Sequence, residues 1–175
     1  SIPFKDVRDS REQQTIAGIV QSVRTVAGKR SNFGIVVLSD GQTTMDVLVF
    51  ARAYESYRQM LKPDEMLIFT GKGRKDDRSG GMSFVCDEVL TIEQMRVRHG
   101  ATLQLELTEG ASLDSLSQLL KAAQCENTAS VACAISVKSK GVKAEVVLKG
   151  EVVPTDLLLN QVRNDTSVAS AKYSY

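Results

Sequence analysis

Between residues 14 and 93 the chain carries five short runs with the two-residue period of β-strands, and one helical period inserted between the third and the fourth. That order constrains the fold more than any other feature. The first run, TIAGIVQSVRTV at 15–26, is rich in β-branched residues. Gly18 inside it predicts a bulge that lets the strand bend around a small barrel. The second and third runs, 33–39 and 43–50, flank Asp40-Gly41, a hairpin pair in which glycine accepts the positive φ of the turn. In the third run Met45, Val47 and Val49 share one face, and Asp46 and Leu48 the other. Tyr54, Tyr57 and Leu61 then recur at helical spacing over 51–61, and Pro63 ends that helix. Runs at 66–72 and 82–90 complete the set.

Two of the connections, VAGKRSN at 26–32 and GRKDDRSGG at 73–81, are basic and contain glycine. Strand order and charge placement together predict a five-stranded OB-fold barrel with a helix between strands 3 and 4, and ligand loops after strands 1 and 4. Lys29 and Arg30 occupy the first loop; Arg74, Lys75 and Arg78 occupy the second, with Lys72 leading in. These cations are expected to converge on one groove that attracts phosphates without regard to sequence. Asp76 and Asp77 interrupt the second cluster. Aromatics make up 5% of the chain and there is no Trp, so stacking is scarce and Phe33 is the best candidate for it. Phe69 and Phe84 read as core, and Tyr54 and Tyr57 as helix-to-barrel packing. A formal net charge of +1 excludes a chain that coats DNA by global charge.

The 175 residues, 42% hydrophobic, divide into a polar linker at 1–13 that leaves a preceding domain, the OB domain at 14–92, a charged connector at 93–101, and an α+β domain at 102–175. In the last domain Leu103, Leu105 and Leu107 alternate with polar residues. Leu113, Leu116 and Leu120 form one helical face. Val131, Cys133, Ile135 and Val137 share a strand face, as do Val142, Ala144, Val146 and Leu148. Pro154 and Thr155 open a helix with a threonine cap, giving the order β-α-β-β-α. Residues 164–175 read as a polar flexible tail whose Tyr173 and Tyr175 are exposed anchors for a partner.

No reaction chemistry stands out. Three widely spaced cysteines (Cys86, Cys125, Cys133) argue against a disulfide framework and for a reducing compartment. The single histidine, His99, lacks a partner, and no metal-ligand spacing exists, so no metal and no cofactor are expected. Gly80-Gly81 lacks the ending of a phosphate-binding loop, and Asp76-Asp77 reads as a turn. No apolar run is long enough for a membrane span, and the start does not resemble a signal peptide.

The strings KRSN, LSDG, VLVF, LKPDEMLIFTG and DDRSGG, in that order, closely resemble the C-terminal part of the bacterial replicative DNA polymerase III alpha subunit. PTDLLLNQVR resembles the last helix of the same family. The resemblance implies an OB domain that contacts single-stranded template weakly and non-specifically through Lys29, Arg30, Phe33, Lys72, Arg74, Lys75 and Arg78. It implies a last domain that binds the tau subunit of the clamp loader, with Leu157, Leu158 and Val162 at the contact. The family often ends with a peptide for the β sliding clamp; here Ser170 to Tyr175 occupies that place, with Tyr173 and Tyr175 as the aromatics. The implied setting is the bacterial cytoplasm, associated with the nucleoid. The parent would be a nucleotidyltransferase whose catalytic palm lies outside these residues. Two alternatives stay open: a pair of protein-binding scaffold domains with no nucleic-acid contact, and an OB domain of a tRNA-handling enzyme.

Overall fold

The computed structural model describes all residues except 29–30, 77–79, 125–129 and 140–141, and the side chains of 138, 139, 142, 143 and 149. The chain forms two compact units, Ser1–Ile92 and Glu93–Tyr175.

In the first unit five strands close into a barrel in the order β1-β2-β3-β5-β4: β1 (Gln14–Val26), β2 (Phe33–Ser39), β3 (Thr44–Val49), β4 (Met66–Lys75) and β5 (Met82–Leu90). Helix α1 (Ala51–Tyr57) lies between β3 and β4, as the sequence predicts. Strand β1 is long enough to pair with both β2 and β4, and β3 runs parallel to β5. Alternation sends one residue in two inward. Ile16, Val20, Val36, Leu38, Val47, Val49, Phe69 and Phe84 are fully buried. Each such side chain contributes about 1.5–3 kcal/mol of transfer free energy. Leu61 and the half-buried Tyr54 and Tyr57 pack on the same core.

Asp40 closes the hairpin between β2 and β3. Its carboxylate accepts from the backbone N–H of Thr43 (2.8 Å) and Gln42 (3.0 Å), and Gly41 sits at φ +87°. These donors hold the carboxyl below the usual carboxylate range.

Two details differ from the sequence reading. The bulge of β1 falls between Val20 and Ser22, where Gln21 is the extra residue, rather than at Gly18. Gly18 serves a close approach instead: a Cβ there would stand 2.8 Å from the Ser39 carbonyl oxygen and 3.0 Å from the Phe4 ring. The second difference explains that ring. Residues 1–13 are no free linker. A 3-10 turn at Phe4–Asp6 plugs Phe4 and Val7 into the barrel core at 4% and 5% exposure. The Ile2 N–H donates to Thr15 O, and Asp9 forms a β-bridge to Gly73. Gly73 has to be glycine for this strap to pass, since a Cβ would meet Arg8 O at 2.4 Å.

In the second unit a four-stranded sheet has the order β8-β7-β6-β9: β6 (Thr102–Leu107), β7 (Val131–Ser139), β8 (Val142–Val152) and β9 (Val168–Ser174). Helix α3 (Asp114–Ala122) crosses between the parallel pair β6 and β7, and α4 (Asp156–Arg163) precedes β9. Thr155 caps α4 as its sequence predicts: its Oγ1 accepts from Leu158 N at 3.0 Å. Leu103, Leu105, Leu107, Leu116, Leu120, Val131, Cys133 and Ile135 form the core.

The charged connector holds helix α2 (Ile92–Arg98). Two expectations are corrected here. The face of β8 is only partly a core face: Ala144 and Val146 are exposed, whereas Leu148 and Val152 pack inward. The polar tail is not a tail. Its last part is β9, paired antiparallel with β6 from Leu107↔Val168 to Thr102↔Ser174. The order is therefore β-α-β-β-α-β. VASAKYS has little apolar contrast, so its strand state comes from the open edge of β6 rather than from its own pattern.

Candidate nucleic-acid interface

The outward face of the barrel follows from pairing register alone. Inward positions are fixed by the buried set, so their neighbours point out. Across the sheet, Ile35 pairs with Leu48, Leu48 with Val85, and Val85 with Lys72. One row along, Val37 pairs with Asp46, Asp46 with Ser83, and Ser83 with Arg74. Each row spans four strands, about 14 Å at the usual spacing, and ends in a cation on β4. Lys72, Arg74 and Lys75 are exposed. They stand on the strand itself, where the sequence reading had Arg74 and Lys75 in the loop; the β4–β5 hairpin is longer than its apolar run.

At the other end of the face Phe33 meets Phe50, with ring centroids 5.4 Å apart and planes tilted by 40°. Phe33 is half-buried and Phe50 is 46% exposed. Phe50 was missed because it ends an alternating strand and reads as one more core residue. Continuing the alternation past Val49 is the signal that finds it, since Met45, Val47 and Val49 point in.

Strand pairing also sets where the two basic connections emerge. The β1–β2 hairpin leaves from the Val26–Phe33 pair, beside the C-terminal end of β3, where Gly34 pairs with Val49. The β4–β5 hairpin leaves from the Lys75–Met82 pair, beside the N-terminal end of β3, where Asp46 pairs with Ser83. The hairpins thus bracket the β2–β3–β5 face from its two ends rather than sharing one end. Lys29, Arg30 and Arg78 lie outside the described residues. Asp76 belongs to a tight turn, donating its N–H to Gly81 O and accepting from Gly80 N, both at 2.8 Å.

The face is not uniformly cationic. Asp46 stands in the middle of the second row and Asp87 beside Phe50, both exposed. Beneath it, Cys86 is buried. Desolvation first, then the Asp87 and Glu88 carboxylates, push its thiol up to about 12, so it stays protonated and unreactive at neutral pH.

In the second unit the residues expected at a partner contact part ways. Leu158 and Val162 are 3% and 0% exposed and fill the core, whereas Leu157 is 69% exposed. Tyr173 is no flexible anchor. It is half-buried in β9, donates its hydroxyl to Thr155 O at 3.1 Å, and lies under the Arg96 guanidinium, 4.5 Å from the ring centroid. Arg96 also donates to Pro154 O and to the Asp156 carboxylate, both at 2.6 Å, so α2 is clamped to the start of α4 and the end of β9. Tyr175, 78% exposed, is the terminal aromatic that remains open to a partner. No helix is long and apolar enough to cross a membrane among the described residues.

Residues 14–92 match the model of a family described as OB-fold nucleic acid binding domain. The chain is 29% identical to DNA polymerase III subunit alpha of Escherichia coli over 168 residues, which is 93% of this chain and 14% of that protein. It is 30% identical to the same subunit of Neisseria meningitidis serogroup A over 152 residues, 84% of this chain and 13% of that protein. The chain thus spans about one seventh of the length of the curated relatives it matches. Among solved structures it is similar to RecG bound to a three-way DNA junction, at 24% identity and a TM-score of 0.42, covering 63% of this chain and 15% of that one. Residues 14–92 are an OB-fold nucleic-acid-binding domain, carried by a chain homologous to a region of the bacterial DNA polymerase III alpha subunit.

Proposed function

We propose that this chain is the part of a replicative DNA polymerase alpha subunit that holds single-stranded template weakly and without sequence preference across the barrel face, and that its second unit tethers the polymerase to the tau subunit of the clamp loader. The observation that carries the first half is the pair of transverse rows ending in Lys72 and Arg74, opposite the Phe33–Phe50 ring pair. Cations along one edge take phosphates and rings at the other take a base, the combination that binds single strands. Lys75 adds charge at the end of the same β-strand; Lys29, Arg30 and Arg78, outside the described residues, are assigned to the DNA strand by the family resemblance alone. Roughly three to four phosphate contacts give a log–log salt slope of about −2 to −3.

The second half rests on homology to the alpha subunit over most of the chain. Of the three side chains assigned to tau, Leu157 is the one presented at the surface, with Leu158 and Val162 holding the helix beneath it. Contact with the β sliding clamp falls to Tyr175. Polymerase activity belongs to the parent protein.

Titration of a labelled oligonucleotide at about 50 mM salt tests the DNA half. Replacing Lys72, Arg74 and Lys75 together with Ala is expected to weaken binding more than tenfold and to flatten the salt slope by about 2. Unchanged binding rejects the face. No binding of the parent fragment even at low salt selects the protein-scaffold reading, which the two carboxylates on the face favour. For the tether, a pull-down with tau is expected to fail with Leu157→Glu while the fold persists by circular dichroism.

A further inference from the structure

Phe50 meets Phe33 and also lines an open pocket of about 600 Å³, together with Arg52, Ser56, Tyr57, Val85 and Asp87. That volume is within the range that takes a small planar ligand. Its lining combines an exposed ring, an apolar floor at Val85, a cation and a carboxylate. The pairing of Val49 with Cys86, continued by one residue, sets Phe50 beside Asp87 on neighbouring strands, about 4.8 Å apart at the backbone.

We propose that this pocket receives one nucleobase of the bound strand, stacked on Phe50, and that Asp87 makes it prefer guanine over thymine. This rests on the single-strand reading above and deepens it. A carboxylate in a phosphate-binding groove repels the backbone, so the strand turns its phosphates toward Arg52 and its base edge toward Asp87. There the carboxylate accepts donors only. Guanine offers two adjacent ones, N1–H and the N2 amine, which match the two carboxylate oxygens. Cytosine and adenine each offer one amine. Thymine offers a lone N3–H flanked by two carbonyl oxygens that oppose the charge. The groove as a whole remains sequence-tolerant, and one position in it does not.

The probe is an oligothymidylate carrying one central dG, compared with the same strand of dT alone, titrated by fluorescence anisotropy at low salt. The dG strand is expected to bind about fivefold tighter, the low end for a paired donor–acceptor contact at an exposed site. Asp87→Asn keeps the shape and is expected to bring that ratio close to one; Phe50→Leu is expected to weaken both strands. Asp87 is exposed, so its variant keeps the fold, which circular dichroism checks. Equal affinity of the two strands for the parent chain overturns the proposal while leaving the groove standing. A uniform gain for both strands in Asp87→Asn also overturns it, because Asp87 then only repels phosphate. A pocket used by a protein partner instead shows as strand binding unaffected by Phe50→Leu. Absence of binding to either strand removes the groove itself.

Discussion

Leu157 and Leu158 are chain neighbours with opposite fates, and that contrast tests the placement of α4. Leu158 is 3% exposed and packs in the second core; Leu157 is 69% exposed. Truncating Leu158 to Ala removes a buried isobutyl group and leaves a cavity in a sheet–helix layer closed by Leu103, Leu105 and Val162. The cost is about 3 kcal/mol, within the 2–5 kcal/mol measured for such truncations. Truncating Leu157 removes surface already in water, so the change is expected within about 0.5 kcal/mol. A unit of this size has a urea slope of about 1 kcal/mol/M, so Leu158→Ala is expected to lower the midpoint by about 3 M and Leu157→Ala to leave it in place. The chain forms two units, so the assay has to read the second alone. Urea titration followed on the amide resonances of Val131, Cys133 and Val162 does so. The tau pull-down then sorts the pair the other way, with Leu157→Ala weakened and any Leu158→Ala loss tracking unfolding. Equal destabilisation by the two truncations, or a larger one from Leu157, would refute the register of α4.

Two further outcomes follow from the same geometry. Asp46→Asn removes the negative charge in the middle of the Val37–Asp46–Ser83–Arg74 row, and is expected to tighten binding of any single strand about threefold at low salt, an effect that fades as salt rises; unchanged affinity would move the strand off that row. In the second unit, desolvation first pushes the Tyr173 hydroxyl up to about 12 from 10, against the lowering effect of Arg96. The folded state then keeps a proton that the unfolded state releases above pH 10. Stability from this source is complete below pH 10 and is lost as pH rises through about 12. Tyr173→Phe is expected to flatten that part of the stability–pH curve, leaving the share of buried Cys133, raised to about 11; an unchanged alkaline slope would place Tyr173 outside the folded layer.

What the chain's order of residues determined by itself is the set of elements whose instructions are local. The two-residue period placed four of the barrel strands to within a residue at both ends, and β4 at its start, because inward and outward positions alternate whatever the partner strand is. Asp40-Gly41 made its hairpin and Thr155 its cap, because the hydrogen bonds that define them close within three residues. The place of Phe33 at a strand entrance beside a basic loop was legible too, while the ring it meets, Phe50, was not.

Tertiary structure decided the rest. The strap at Phe4–Asp6 and strand β9 have almost no period of their own; a cavity mouth and a free strand edge elsewhere in the chain give them their conformations. Phe50 became part of a surface, and Leu158 part of a core, only once register was fixed. A shift of one residue along β3 would exchange inside for outside, and one along α4 would turn its apolar stripe by about 100°. The cationic edge had the same origin. Lys72 and Arg74 are two residues apart on one strand, yet what sets them at the ends of two transverse rows is their alignment with Val85 and Ser83 across a closed sheet. Barrel closure brings together residues from strands far apart in the chain, and no local pattern records that meeting.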